Sequence, residues 1–173
     1  MIRWQFEKLA PVWGQTLSPE GDRLVAEALE RVPGATQALD VGTGTGRGAE
    51  ALVKGFPGAE VTGVDVAAAM VEEARRRVPG ASFQVGDAAH LPFGDGSFDL
   101  VTHTNMIPFL DEVARVLRPG GWTVFSWTNG AGTPIYVRPE LLRRELERRG
   151  FADFAEIGVG SGTAVLARRV EPH

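Results

Sequence analysis

Four groups of residues in this 173-residue chain have types and spacing that could do chemistry. The first is Asp40-Val41-Gly42-Thr43-Gly44-Thr45-Gly46, a short apolar run that ends in alternate glycines. Glycines at a strand-to-helix junction let the backbone approach a ligand, and the helix that follows offers N–H groups without intrahelical acceptors. Such a loop can cradle a small ligand, but glycines also make tight turns, and Gly44-Thr45-Gly46-Arg47-Gly48-Ala49 fits a lax dinucleotide fingerprint as well. The second group is Asp65, closing Val61-Thr62-Gly63-Val64-Asp65. A carboxylate at a strand end can accept both hydroxyl protons of a ribose, in a nicotinamide dinucleotide as well as in other nucleosides. The third is Asp87 in Gly86-Asp87-Ala88-Ala89, placed to accept the exocyclic amine of an adenine, although an aspartate before small residues is equally a turn former. Two acids at successive strand ends point to an adenosyl pocket. The fourth is His103 with Asn105, expected just beyond a strand and facing the pocket mouth. Either could orient a substrate, and His103 could act as a base near neutral pH, yet a lone loop histidine is more often structural.

The elements that must position these residues alternate regularly. Ser18-Pro19-Glu20 has the form of a helix start, and Leu24, Val25, Ala28, Leu29 and Val32 continue one apolar face until Pro33-Gly34. Strand-like runs follow at Ala38–Val41, Val61–Asp65, Ser82–Val85, Phe98–Thr102 and Trp122–Trp127. Helical spacing separates them, at Ala49 to Phe56, Ala67 to Val78 and Leu110 to Leu117. Alternation of this kind predicts an α/β fold with a mostly parallel sheet covered on both faces, because parallel neighbours need crossover connections. After a helix from Glu140 to Arg149, the segments Phe154–Val159 and Thr163–Arg169 flank Gly160-Ser161-Gly162, which predicts a hairpin and an antiparallel edge.

Composition narrows the function classes. The length suits a single domain over 1–173, with 1–17 a lid-like segment and 18–173 the core. No apolar run reaches the roughly 20 residues that span a bilayer, and the N-terminus lacks the pattern of a secretory or transit signal, so a cytoplasmic protein with no membrane partner is expected. With no cysteine and three scattered histidines, no metal site is expected. A net charge of −4 argues against a nucleic-acid partner and for a small-molecule substrate. The runs Arg75-Arg76-Arg77, Arg143-Arg144 and Arg148-Arg149 fall late in predicted helices, where cations complement the dipole.

Five segments, in this order and spacing, resemble class I S-adenosylmethionine-dependent methyltransferases of the small-molecule type. They are Val41 to Gly46, Gly63-Val64-Asp65, Gly86 to Phe93, Asp95 to Val101, and Ala114 to Gly121. The likeness extends over residues 36 to 127. It implies a Rossmann-like three-layer sandwich with a mostly parallel seven-stranded sheet, and S-adenosylmethionine as cofactor. By that resemblance Gly42, Thr43, Gly44 and Gly46 contact the methionine portion, and Asp40 anchors the loop or the amino group. Asp65 meets the ribose, Asp87 the adenine amine, and Ala88 a ring nitrogen through its N–H; Val66, Thr102 and Trp13 complete the implied cofactor set. Trp4, Phe6, Trp13 and Trp127 are candidates to hold the sulfonium by cation–π attraction, worth about 0.5 to 2 kcal/mol. Phe6 and Trp13 stand where many relatives carry tyrosines.

The resemblance implies methyl transfer to a small acceptor by in-line displacement, for which alignment and desolvation can suffice and no catalytic residue is obligatory. Two connections are shorter than in typical relatives, the one from Thr102 to Leu110 and the one from Thr128 to Arg138, which leaves the acceptor site open. A partner subunit, as in a homodimer, could complete it. Two other functions remain open: a module that binds S-adenosylmethionine without turnover, and an NAD(P)-dependent oxidoreductase, which lacks a Tyr and Lys pair and leaves Asp87 without a duty.

Overall fold

The computed structural model describes residues 19–133 and 135–170. The chain runs α1 (Pro19–Leu29), β1 (Gln37–Val41), α2 (Arg47–Gly55), β2 (Glu60–Asp65), α3 (Ala68–Arg77), β3 (Ser82–Val85), β4 (Phe98–Thr104), α4 (Leu110–Val116) and β5 (Leu117–Trp127). A 3-10 turn (Gly130–Gly132), α5 (Pro139–Glu147), β6 (Phe151–Val159) and β7 (Gly162–Arg169) follow. The expected helix start at Ser18 and the aromatics Trp4, Phe6 and Trp13 lie outside the described residues.

All seven strands form one sheet in the order β3-β2-β1-β4-β5-β7-β6. The first five are parallel, and β7 pairs antiparallel with both β5 and β6. Successive strand residues face opposite sides, so each strand feeds two cores. Ala38, Leu100, Val124 and Leu166 meet Leu24, Ala28, Leu52, Val71 and Ala74 of α1, α2 and α3. Leu39, Val101, Phe125 and Val165 meet Val113, Val116, Leu142 and Leu146 of α4 and α5. The strand order reverses direction of growth between β1 and β4, the point at which open sheets of this kind place a ligand crevice outside the carboxyl ends of the strands.

Three boundaries differ from the sequence expectation. β4 runs on to Thr104, beyond the expected end at Thr102. β5 begins at Leu117 instead of Trp122: Phe98 pairs with Leu117 and Leu100 with Trp122, so Pro119-Gly120-Gly121 bulges out of a continuing strand. β6 begins at Phe151, three residues early, because a second irregularity between Ala152 and Ala155 absorbs Asp153 at φ 53°. Most arginines of these runs are paired with acids: Arg75 with Glu72, Arg76 with Glu73, Arg77 with Glu50, and Arg149 with Asp111 and Glu145. Among the described residues no helix is long and apolar enough to cross a membrane, and no cluster of potential metal ligands occurs.

Candidate functional site

The carboxyl ends of β1, β2 and β4 bring most of the expected residues together. The loop after β1 turns through glycines 42, 44 and 46 at φ 66°, 55° and 94°. Thr43 N–H donates to the Val64 carbonyl at 2.9 Å, which ties the loop to β2. Asp65 secures it further: one carboxylate oxygen accepts Gly44 N–H at 2.9 Å and the other Ala67 N–H at 3.0 Å. Burial raises the Asp65 pKa above the usual carboxylate value, and the N–H groups of Ala67, Gly44 and Val66 oppose the rise. A carboxylate has about four lone-pair sites, so acceptor capacity remains for a ligand. Val66, beside it, is 41% exposed at the same rim.

Asp40 and Thr102 face away from that rim. Asp40 is 2% exposed beneath the start of α2, where Thr102 Oγ1 donates to it at 2.8 Å and the Ala49 N–H also donates. Burial pushes its pKa up to about 6 despite these donors, and the Asp65 charge adds to the rise. The two residues brace the loop from below, an arrangement set by the β1–β4 register, in which Asp40 stands opposite Thr102. The Thr43 hydroxyl lies close to Asp40 but outside hydrogen-bonding geometry; it and the Thr45 hydroxyl are buried without a partner. Gly48 is explained here too: a Cβ on it would stand 2.6 and 2.8 Å from the two Asp40 oxygens. That glycine of the lax dinucleotide fingerprint is therefore demanded by a protein carboxylate.

Asp87 follows β3, two residues beyond the Val85 that pairs with Asp65. Its side chain accepts Ala89 N–H at 2.9 Å within its own turn and its carbonyl accepts His90 N–H at 3.0 Å, so the turn-forming role is realised while most of the carboxylate stays in solvent. Ala88 is partly buried against the α4–α5 core.

His103 and Asn105 need correction. His103 belongs to β4 and points, like Val101, into the core; it is 2% exposed and stacks on Phe125 with centroids 4.5 Å apart. Burial pushes its pKa down to about 3, and its Nδ1 has no partner, so it neither faces the pocket mouth nor offers a base at neutral pH. Asn105 also has its amide occupied: Nδ2 donates to Thr128 Oγ1 at 2.9 Å, and Oδ1 accepts Thr128 N–H at 2.9 Å. It clasps the ends of β4 and β5. Trp127 is buried at 1% exposure behind Tyr136, on the core side of the sheet.

A groove of about 430 Å³ adjoins this end on the α1–α2 side. Val25, Leu29 and Ala51 line it, Thr104 and Thr128 close its strand end, and Arg47, which bonds Asp22 on α1, stands at its rim. Nothing in the sequence pattern marked it, since its walls come from two helices and two strand ends.

Comparison with known proteins places this geometry in context. Residues 38–121 match the family model described as methyltransferase domain. The ubiquinone/menaquinone biosynthesis C-methyltransferase of Desulfotalea psychrophila is 44% identical over 98 residues, covering 51% of this chain and 40% of that protein. The fatty-acid O-methyltransferase of Mycolicibacterium smegmatis is 41% identical over 116 residues, covering 62% and 41%. This chain thus spans less than half the length of these relatives. Among solved structures, the complex between the Haloferax volcanii Trm112 methyltransferase activator and a methyltransferase aligns with a TM-score of 0.82 at 20% identity, covering 96% of this chain and 98% of that one. A Haemonchus contortus phosphoethanolamine N-methyltransferase 2, in complex with S-adenosyl-L-methionine, aligns with a TM-score of 0.71 at 17% identity, covering 92% and 53%. None of these comparisons favours an oxidoreductase.

Proposed function

We propose that this chain, whose residues 38–121 match the methyltransferase domain model, is an enzyme that uses S-adenosylmethionine to methylate a small-molecule acceptor. The observation that carries this reading is Asp65: it holds the glycine loop through Gly44 and keeps acceptor capacity at the crevice. The residues present fit the cofactor. A carboxylate with acceptor capacity to spare suits a ribose, and the glycine loop beside it brings the backbone close to the same space. The cofactor supplies an electrophilic methyl group on a sulfonium. The chain's part is to bind and align: Gly42, Thr43, Gly44 and Gly46 hold the methionyl end, Asp65 and Val66 the ribose, and Asp87 with the Ala88 N–H the adenine. Asp40 and Thr102 act indirectly, by fixing the loop. No side chain is assigned as a general base, which agrees with a buried, neutral His103.

The acceptor is a small molecule on the strength of the relatives, and the short connections after β4 and β5 leave its site open enough for a second copy of the chain to complete it. Isothermal titration with S-adenosylmethionine, S-adenosylhomocysteine, NADH and NADPH tests the cofactor. Micromolar binding of the first two alone is expected, whereas binding of only a nicotinamide would overturn the reading. Release of S-adenosylhomocysteine on incubation with a panel of phenols, amines and carboxylates then distinguishes an enzyme from a binding module.

A further inference from the structure

The connection leaving β4 occupies only residues 105–109 before α4 begins. Its first residue is held hard. Asn105 adopts φ 54°, a conformation that asparagine tolerates better than most side chains. Its N–H donates to the Ser126 carbonyl at 2.8 Å, and both ends of its amide bind Thr128. Because Thr128 N–H can only donate, Oδ1 must be the atom facing it, so the orientation of the amide is fixed by chemistry.

This clasp turns the chain back toward β1 and delivers Met106 onto the glycine loop. A Cβ built on Gly42 would stand 2.2 Å from Met106 Cγ, 2.2 Å from Sδ and 2.9 Å from Cε. The thioether therefore lies directly against the Gly42 α-carbon, and nothing fits between them. Gly42 is one of the residues to which the methyltransferase reading assigns the methionyl end of the cofactor. Met106 is partly buried, its neighbour Ile107 is 47% exposed, and methionine is unbranched with three soft torsions. The backbone is clamped, while the side chain, packed on the edge of the core, keeps three soft torsions.

We propose that Met106 is a displaceable cover on the glycine loop, which the cofactor's methionyl end must push aside, so that this residue sets the rate at which cofactor is admitted. The inference rests on the methyltransferase reading. Asn105 and Thr128 serve as positioning residues that keep the cover in register over Gly42.

Stopped-flow binding of S-adenosylhomocysteine tests it. Met106→Ala removes the cover and should raise the association rate at least threefold; Met106→Leu, of similar volume, should stay near the parent rate. An Ala variant that associates no faster overturns the inference. A second measurement needs no variant. Sinefungin, a sulfur-free analogue that does not consume peroxide, should accelerate peroxide oxidation of Met106 followed by mass spectrometry, because displacement brings the thioether to solvent. Met70, 1% exposed on α3, is the internal reference. Protection of Met106 by sinefungin would mean a fixed wall, and the cover would be refuted. If the parent protein binds no adenosyl ligand at all, the methyltransferase reading falls and takes this inference with it; parent binding with an unaltered Ala variant removes only the cover.

Discussion

Replacing Asp40 by Asn should change the way stability depends on pH. The Asp40 carboxylate is 2% exposed, and its burial moves the pKa from 3.8 to about 6. Each pKa unit corresponds to 1.36 kcal/mol, so keeping this group ionised at neutral pH costs the folded state about 3 kcal/mol relative to the unfolded chain. The sign follows from proton counts. Between pH 4 and 6 the folded protein retains a proton that the unfolded chain has released, so raising the pH through this window costs stability, and above about pH 6.5 the full cost is present. The Asn variant has no such titration. It does lose one acceptor oxygen facing Thr102 or Ala49, an offset of about 1 kcal/mol that is independent of pH. The unfolding free energy of Asp40→Asn minus that of the parent should therefore grow by about 2 kcal/mol from pH 4 to pH 7. Urea unfolding followed by circular dichroism at constant ionic strength measures it. Taking the difference also removes His103, whose lowered pKa gives both proteins a slope of the opposite sign. Parallel pH profiles for variant and parent would refute the argument, because a carboxylate that ionises normally in the folded state creates no such gap.

Other substitutions probe the remaining parts. His103→Phe keeps the stack on Phe125 and removes a group that stays neutral below its unfolded pKa; relative to its offset at pH 8, the variant should gain about 2 kcal/mol at pH 5 in the same unfolding assay. Its kcat/KM profile should keep every ionisation of the parent, and loss of one near pH 6.5 would return His103 to a catalytic role. Gly48→Ala drives a methyl into the Asp40 carboxylate and should cost about 1 to 3 kcal/mol of stability; an unchanged urea midpoint would contradict the packing. Asp65→Ala should weaken S-adenosylhomocysteine binding by about 1 to 3 kcal/mol in calorimetry, and undiminished affinity would remove Asp65 from the site.

The alternation of elements was legible because each boundary carried its own punctuation. Pro33-Gly34, Pro57-Gly58 and Gly160-Ser161-Gly162 interrupt apolar runs of the right length, and the parallel sheet with its antiparallel edge follows from them. The direction in which His103 points was not legible, and the reason is parity. Side chains alternate along a strand, so whether a residue beyond Thr102 faces core or crevice depends on whether the strand has ended. The added pairing of His103 with Phe125 and Thr104 with Ser126 keeps the alternation running and sends His103 inward. The role of Asn105 was hidden for a related reason: its partner Thr128 lies just beyond the next strand, and only the register of β4 against β5 brings them together.

The same consideration changes what the glycine motif reports. Gly42 and Gly48 stand in a segment whose pattern points to a ligand, yet each has a reason within the protein: Gly42 turns at φ 66°, which disfavours a side chain whatever stands beside it, and the Asp40 carboxylate fills the space at Gly48. A glycine-rich turn of this kind is kept by packing even before a ligand is considered, so its presence is weak evidence for binding. Asp65 carries more weight. Its carboxylate sits at the crevice, and burial there makes its charge costly. A structural cap needs only the two N–H donors it already has from Gly44 and Ala67, and an uncharged asparagine could still take one of them without the cost of a buried charge. The acid is better accounted for by hydroxyl donors that arrive with the ligand and satisfy its remaining lone pairs. It follows that Asp65→Asn should preserve the fold better than Asp65→Ala while still weakening cofactor binding, since the amide can cap one N–H but cannot accept from both ribose hydroxyls. Retained affinity in the Asn variant would show that the charge serves the loop alone.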